Sequence, residues 1–192
     1  MKHLYIFFIL LSSLRINAQE LDFENHFGTL ITHLENEEWT QSEKISKELL
    51  NLTSKNPDFS HEEMVLRYMY IFSVSGLMNE GLLTKDQALQ NIKFLEGKDM
   101  ILASHPFHLN CTLNCTQISE DRKDTFRTCV TNNDGTQIFS FEYIEIKDGI
   151  KETVDQLEGK IIHIKANLSE VSVEGTILPR FRLNFSNGEY ML

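Results

Sequence analysis

The sequence predicts an α+β protein, with helices in the N-terminal half and an antiparallel sheet in the C-terminal half. Three observations carry this. Apolar residues recur once per helical turn between residues 20 and 96. After about residue 100 they recur at every second position, and Asx-Gly turn signals stand at 133–135 and 187–188. With 192 residues, 41% hydrophobic content and 13 Phe, the chain has enough apolar matter for a packed core.

Residues 1–18 read as a secretory signal. Lys2 supplies the positive end, Leu4 to Leu14 an apolar run interrupted only by Ser12 and Ser13, and Ala18 a small residue before a cleavage point at Ala18–Gln19. The run is shorter than the ~20 residues a membrane-spanning helix needs. The expected product is secreted or periplasmic, without an integral membrane segment. Loss of Lys2 and Arg15 takes the formal charge from −10 to −12. This acidic balance argues against nucleic acid, whose binding rests on Lys and Arg neutralising phosphates.

A helical domain is expected over 19–98. Phe23, Phe27, Leu30, Ile31 and Leu34 lie on one face of a first helix. After the ENEEW turn, Thr40 or Ser42 caps a second, with Ile45, Leu49 and Leu52 on one side. Pro57 ends it. Ser60 and Glu63 form a capping-box pattern at the start of a third helix, which is apolar nearly all round from Met64 to Leu77 and so belongs between layers. Thr84 caps a fourth, carrying Ala88, Ile92 and Leu95, and Gly97 stops it. The stretch ENEEWTQSEKISKELLNLTSKNPD resembles the second half of a tetratricopeptide repeat, at the level of fold. That resemblance implies antiparallel helical hairpins over about 21–96 and a groove that takes a protein or peptide partner. The NEE and NEG turns, at Asn36 and Asn79, are 43 residues apart, against about 34 in that family. An unrelated four-helix unit stands as the alternative.

An antiparallel β-domain is expected over 99–192. Alternation marks strands through Leu109–Cys115, Phe139–Tyr143, Ile162–Leu168 and Phe181–Phe185, each with one face in the core and one in water. In the second of these, Phe139, Phe141 and Tyr143 form the apolar set and Ser140 and Glu142 the polar set. Residues 147–158 admit a short helix. DTFRTCVTNNDGTQIF can be laid on PRFRLNFSNGEYML, which raises a duplicated meander as one option. The element order resembles an OB barrel, with a small sandwich as the rival.

On a strand, Cys111 and Cys115 lie roughly 13 Å apart. That is too far for a mutual disulfide, with Cα atoms about 4.4–6.8 Å apart, or for one zinc ion at about 2.3 Å from each sulfur. Cys129 sits opposite Cys115 if the SEDRKD turn centres near Arg122, so Cys115–Cys129 is the candidate disulfide. The alternative is three small buried thiols. Neither reading yields a metal site or a cofactor.

No phosphate-binding loop, nucleophile elbow or HExxH motif occurs. Lys160, Lys165, Arg180 and Arg182 are the basic concentration of the β-half and a candidate anion or ligand face, against the alternative of solvated edge charges. His105 and His108, in HPFH, mark a junction near residues 147–159 where a hydrolase site would sit. Asn51, Asn110, Asn114 and Asn167 begin Asn-x-Ser/Thr triplets. The expected function is a secreted or periplasmic non-enzymatic interaction or accessory protein. The alternatives are a hydrolase at the junction, or glycan or small-ligand binding by the β-half.

Overall fold

The computed structural model describes residues 18–192, and side chains from residue 23. The expected signal and its cleavage point lie outside the fully described residues. Helix α1 runs Ala18–Glu35, α2 Trp39–Thr53, α3 Ser60–Asn79 and α4 Lys85–Ile92. The cap expected at Thr84 forms in full: its hydroxyl accepts from Gln87 N and the Gln87 side chain accepts from Thr84 N. The caps expected at Thr40 or Ser42 and at Ser60 do not. Those residues lie inside α2 and α3, whose first turns follow Glu38 and Phe59 without a side-chain cap. Ser42 and Ser46 instead face inward and donate to carbonyls one turn back, which lets α2 close on α3 without stranding a hydroxyl. No helix among the described residues is long and apolar enough to cross a membrane.

The strands are β1 Asp99–Ile101, β2 His105–Pro106, β3 Thr116–Ile118, β4 Thr125–Thr131, β5 Ile138–Ile146, then helix α5 Val154–Leu157, β6 Ile161–Glu174 and β7 Arg180–Met191. They form one sheet in the order β1-β6-β7-β5-β4-β3, with β2 also on β6. The expectation of a purely antiparallel sheet needs correction, because β7 runs parallel to β5. After β5 the chain leaves through α5, re-enters two places away as β6, and β7 then fills the gap. A single bridge, Phe107 to Thr116, spans the two ends of the strand path without closing a barrel.

Three local expectations also fail. Residues 109–115 are loop, not strand: Asn114 has a left-handed φ of 51° and exchanges hydrogen bonds with Thr131. Asn187-Gly188 is a bulge inside β7 rather than a turn. This removes the option of a duplicated meander, since of the two signals only that at 133–135 turns a hairpin. Strand β5 presents the faces opposite to those expected. Ser140 and Glu142 are buried with Ile144 and Ile146, while Phe141 and Tyr143 face outward, half-exposed. The register shift where β4 meets β5 near residue 139 lets Phe139 join the same inner side.

All the helices that pack on the sheet lie on its inner face, and one continuous core runs through both halves of the chain. Trp39, Phe72 and Phe139 join α2, α3 and β5 in a three-ring cluster with centroids 5.1–5.4 Å apart. Gly76 makes room for it: a Cβ there would fall inside the Trp39 ring. The turn between α1 and α2 is fastened to the β4–β5 turn, with Asn133 N donating to Glu37 Oε1 at 2.6 Å and Asn133 Nδ2 to the Glu35 carbonyl at 2.8 Å.

Candidate functional site

Where the helices leave one face of the sheet open, three adjacent interior strands align a set of outward side chains. Register places Arg127 beside Tyr143, Cys129 beside Phe141, Phe141 beside Arg182, and Tyr143 beside Asn184. The guanidinium of Arg127 lies 5.3 Å from the Phe141 centroid and that of Arg180 5.0 Å; those of Arg122 and Arg182 lie 4.2 and 4.8 Å from Tyr143. Each stack contributes about 0.5–1 kcal/mol at such a half-exposed site. It also restrains the guanidinium plane while leaving its in-plane N–H donors able to hydrogen-bond.

The two rings differ in what surrounds them. Around Tyr143, Arg182 donates to Glu174 at 2.8 Å and Arg122 to Asn184 Oδ1 at 2.9 Å, while Asn184 Nδ2 donates to Glu170. The Glu174 bond raises the Arg182 pKa. Around Phe141, neither Arg127 nor Arg180 donates to a protein acceptor or forms an ion pair among the described residues, and Arg180 Nε is buried without an acceptor. Asp121 lies near Arg127; its carboxyl is held below the usual range chiefly by Ser119, with smaller help from Arg122 and Arg127. Beneath Phe141, burial pushes the Cys129 thiol up to about 11, against the opposing pull of Arg127 and Arg180. It is therefore no nucleophile at neutral pH.

Of the basic residues expected to act together, the structure unites Arg180 and Arg182 on this face and separates the other two. Lys165 pairs with Glu189, seven positions beyond Arg182 along β7 and roughly 23 Å away at strand rise. Lys160 precedes β6, and its carbonyl accepts from Phe107 N at the sheet's far end. The face instead recruits Arg122, Arg127, Phe141 and Tyr143. The Arg-x-Arg spacing of 180–182 was its only sequence signal.

The disulfide is also corrected. Cys111 and Cys115 are joined, with Cα atoms 5.7 Å apart, and Cys129 is free. The expected Cys115–Cys129 pairing is not formed, because the loop at 109–115 folds back on itself rather than extending. Of the Asn-x-Ser/Thr asparagines, to which Asn184 of Asn184-Phe185-Ser186 also belongs, Asn114, Asn167 and Asn184 use their side chains internally, while Asn51 and Asn110 are exposed.

The region expected to hold a hydrolase site contains an open groove of about 440 Å³ lined by His108, Leu109, Asn110, Val154, Asp155 and Glu158. His108 Nδ1 and Glu158 Oε1 are 2.8 Å apart, and Leu109 N donates to Glu158 Oε2. The His108 bond holds the Glu158 carboxyl below the usual range, so it stays ionised and is no general acid. His105 does not reach the groove. It is half-buried, burial lowers its pKa to about 4, and its Nε2 is buried without a partner.

The most displaced carboxyl lies on the inner face. Glu142 is buried between β5 and α3, and desolvation raises its pKa to about 7 against bonds from Tyr68 and Ser140 that lower it. Tyr68 Oη donates to Oε1 at 2.8 Å and Ser140 Oγ at 3.1 Å, while Oε2 has no partner. A cavity of about 10 Å³ adjoins it, about the volume of one water probe. Thr128, the register neighbour of Glu142, has a buried hydroxyl without a partner. This enclosed cluster is too small for any substrate.

No protein-family model, curated protein or solved structure matches this chain.

Proposed function

We propose that this chain is a non-enzymatic recognition module, exported by its N-terminal segment, that docks a partner protein on the open face of its sheet. The observation that carries the proposal is the array of four guanidiniums stacked on two half-exposed rings across β4, β5 and β7. Arg and aromatic side chains on a flat, preordered surface are the composition of binding hot spots. Small-molecule sites are concave by contrast. The helical groove implied by the tetratricopeptide resemblance is less favoured, because α3 is buried along most of its length. A hydrolase is less favoured because Glu142 is enclosed and His105 lies outside the open groove, while that groove holds an ionised Glu158.

A photo-reactive phenylalanine analogue placed at Tyr143, and separately at the exposed Lys47 of α2, tests this in producing cells. Cross-linked adducts are expected at 143 and not at 47. Equal yields, or adducts at 47 alone, overturn the docking face. Mass spectrometry of the secreted product is expected to give a mature N-terminus at Gln19; a retained Met1 overturns export by cleavage.

A further inference from the structure

We propose that the docked protein presents carboxylates to one half of this face only, between Arg127 and Arg180 across the Phe141 ring; this rests on the sheet face being the docking surface. The two halves of the face have the same ingredients and different saturation. Arg182 is neutralised by Glu174 and Arg122 is occupied by Asn184, so the Tyr143 half is complete without a ligand. Arg127 and Arg180 have their ring and no acceptor, down to the buried Nε of Arg180.

Both guanidiniums stand on one ring, which keeps the two charges within about 10 Å of each other. That is comparable to the screening length at physiological salt, so their mutual repulsion is weak, and a single anionic group can lie within reach of both. Glu174, opposite Arg180 in register, and Asp121, near Arg127, make no hydrogen bond or ion pair with either. Stacking restrains each guanidinium plane, and the donors that no protein group occupies are left to grip a carboxylate, with two parallel bonds where both nitrogens of a fork are reached.

The class of partner follows from charge and topology. With a formal charge of −10, the chain repels densely anionic polymers at long range. A protein surface with one or two carboxylates beside an apolar group meets little of that repulsion and covers the exposed edge of Phe141. Strands β4, β5 and β7 are each hydrogen-bonded on both sides, so no free backbone edge is offered for an added strand. The partner is therefore read through side chains, from a helix or a compact loop.

The test is an NMR titration of the full chain at low salt with a capped Ala-Glu-Leu-Glu-Ala peptide, following the arginine Nε–H signals. The signals of Arg127 and Arg180 are expected to shift with a dissociation constant on the order of 1 mM. Arg127→Gln or Arg180→Gln is expected to weaken binding roughly tenfold, and Arg122→Gln less than about twofold. Arg127→Lys, which keeps the charge and loses the fork, falls between; thermal melts confirm that each variant is folded. The assignment is overturned if neither arginine responds, if Arg122→Gln weakens binding as much as Arg180→Gln, or if a heparin oligosaccharide binds more tightly than the peptide, which would make this a glycan site. Cross-linking at residue 143 with silent arginines removes the carboxylate site and leaves the docking face standing. Responsive arginines without cross-linking do the reverse.

Discussion

The two faces of β5 carry opposite chemistries, each where its pattern would not place it. Inward, Ser140 and Glu142 sit among Ile144, Phe181 and Leu183 under helix α3. Outward, Phe141 and Tyr143 meet water and carry arginines. Each anomaly has its own compensation. The inner carboxyl stays protonated longer and accepts from Tyr68 and Ser140, since an ion buried without a counter-charge would be strongly destabilising. The outer rings lose their apolar exposure under guanidiniums, which need no burial to remain hydrated. The inner face thus bears mainly on stability, while the outer face presents arginines and rings to solvent.

The sharpest way to break that contrast is to titrate Glu142. Its folded pKa of about 7 stands above the 4.5 of a free glutamate. Below about 4.5 the group is protonated in both states and contributes nothing. As pH rises toward 7 the unfolded chain ionises first, so stability falls, by up to about 3 kcal/mol, and levels off above about 7. Glu142→Gln is expected to flatten this slope in urea melts between pH 4.5 and 8. A slope unchanged in the variant would show that Glu142 is not its source.

Gly76→Ala sharpens the same contrast through packing. In an open helix this change stabilises by about 1 kcal/mol. Here the added methyl meets the Trp39 ring, and a net loss of about 1–3 kcal/mol is expected. Trp39 is the chain's single tryptophan, so its fluorescence reports the displacement directly. A stabilised variant with native emission would refute the close packing.

The smallest effects belong to the outer face. Arg182→Gln breaks the exposed pair with Glu174 and a ring stack, and a loss of about 0.5–1 kcal/mol in denaturant melts is expected. Arg180→Gln breaks a stack alone and should lose less. The same two variants should rank in the reverse order for peptide binding. Matching orders would mean that the halves of the face are not functionally distinct.

Much of the architecture was legible in the pattern of residues. The helical period placed α1 to α4, the burial of α3 followed from its apolar girdle, and the Thr84 cap and the 133–135 turn are local signals read within a few residues. Of the site, only Arg180 and Arg182 were legible, because β7 keeps its apolar residues inward and its alternation is unambiguous. Phe141 and Tyr143 were assigned to the wrong side. Alternation fixes which residues share a face, but it does not say which face is buried when Ser and Glu compete with Phe and Tyr. The choice was made by the neighbours: Ile144 and Ile146 further along β5, and Tyr68 across from Glu142. The Cys111–Cys115 link escaped for a related reason, since alternation in LNCTLNC implied an extended chain that the loop does not adopt.

What the sequence determined by itself was periodic and local: where the chain coils, where it extends, and where it turns. What only the tertiary structure decided was the parallel insertion of β7 beside β5, the inward turn of Glu142, and the meeting of Arg122, Arg127, Arg180 and Arg182 over two rings. Those residues come from three separate strands and a loop, and their proximity depends on register between strands. Register is set by the summed packing of all strands and helices, which no single stretch of chain encodes.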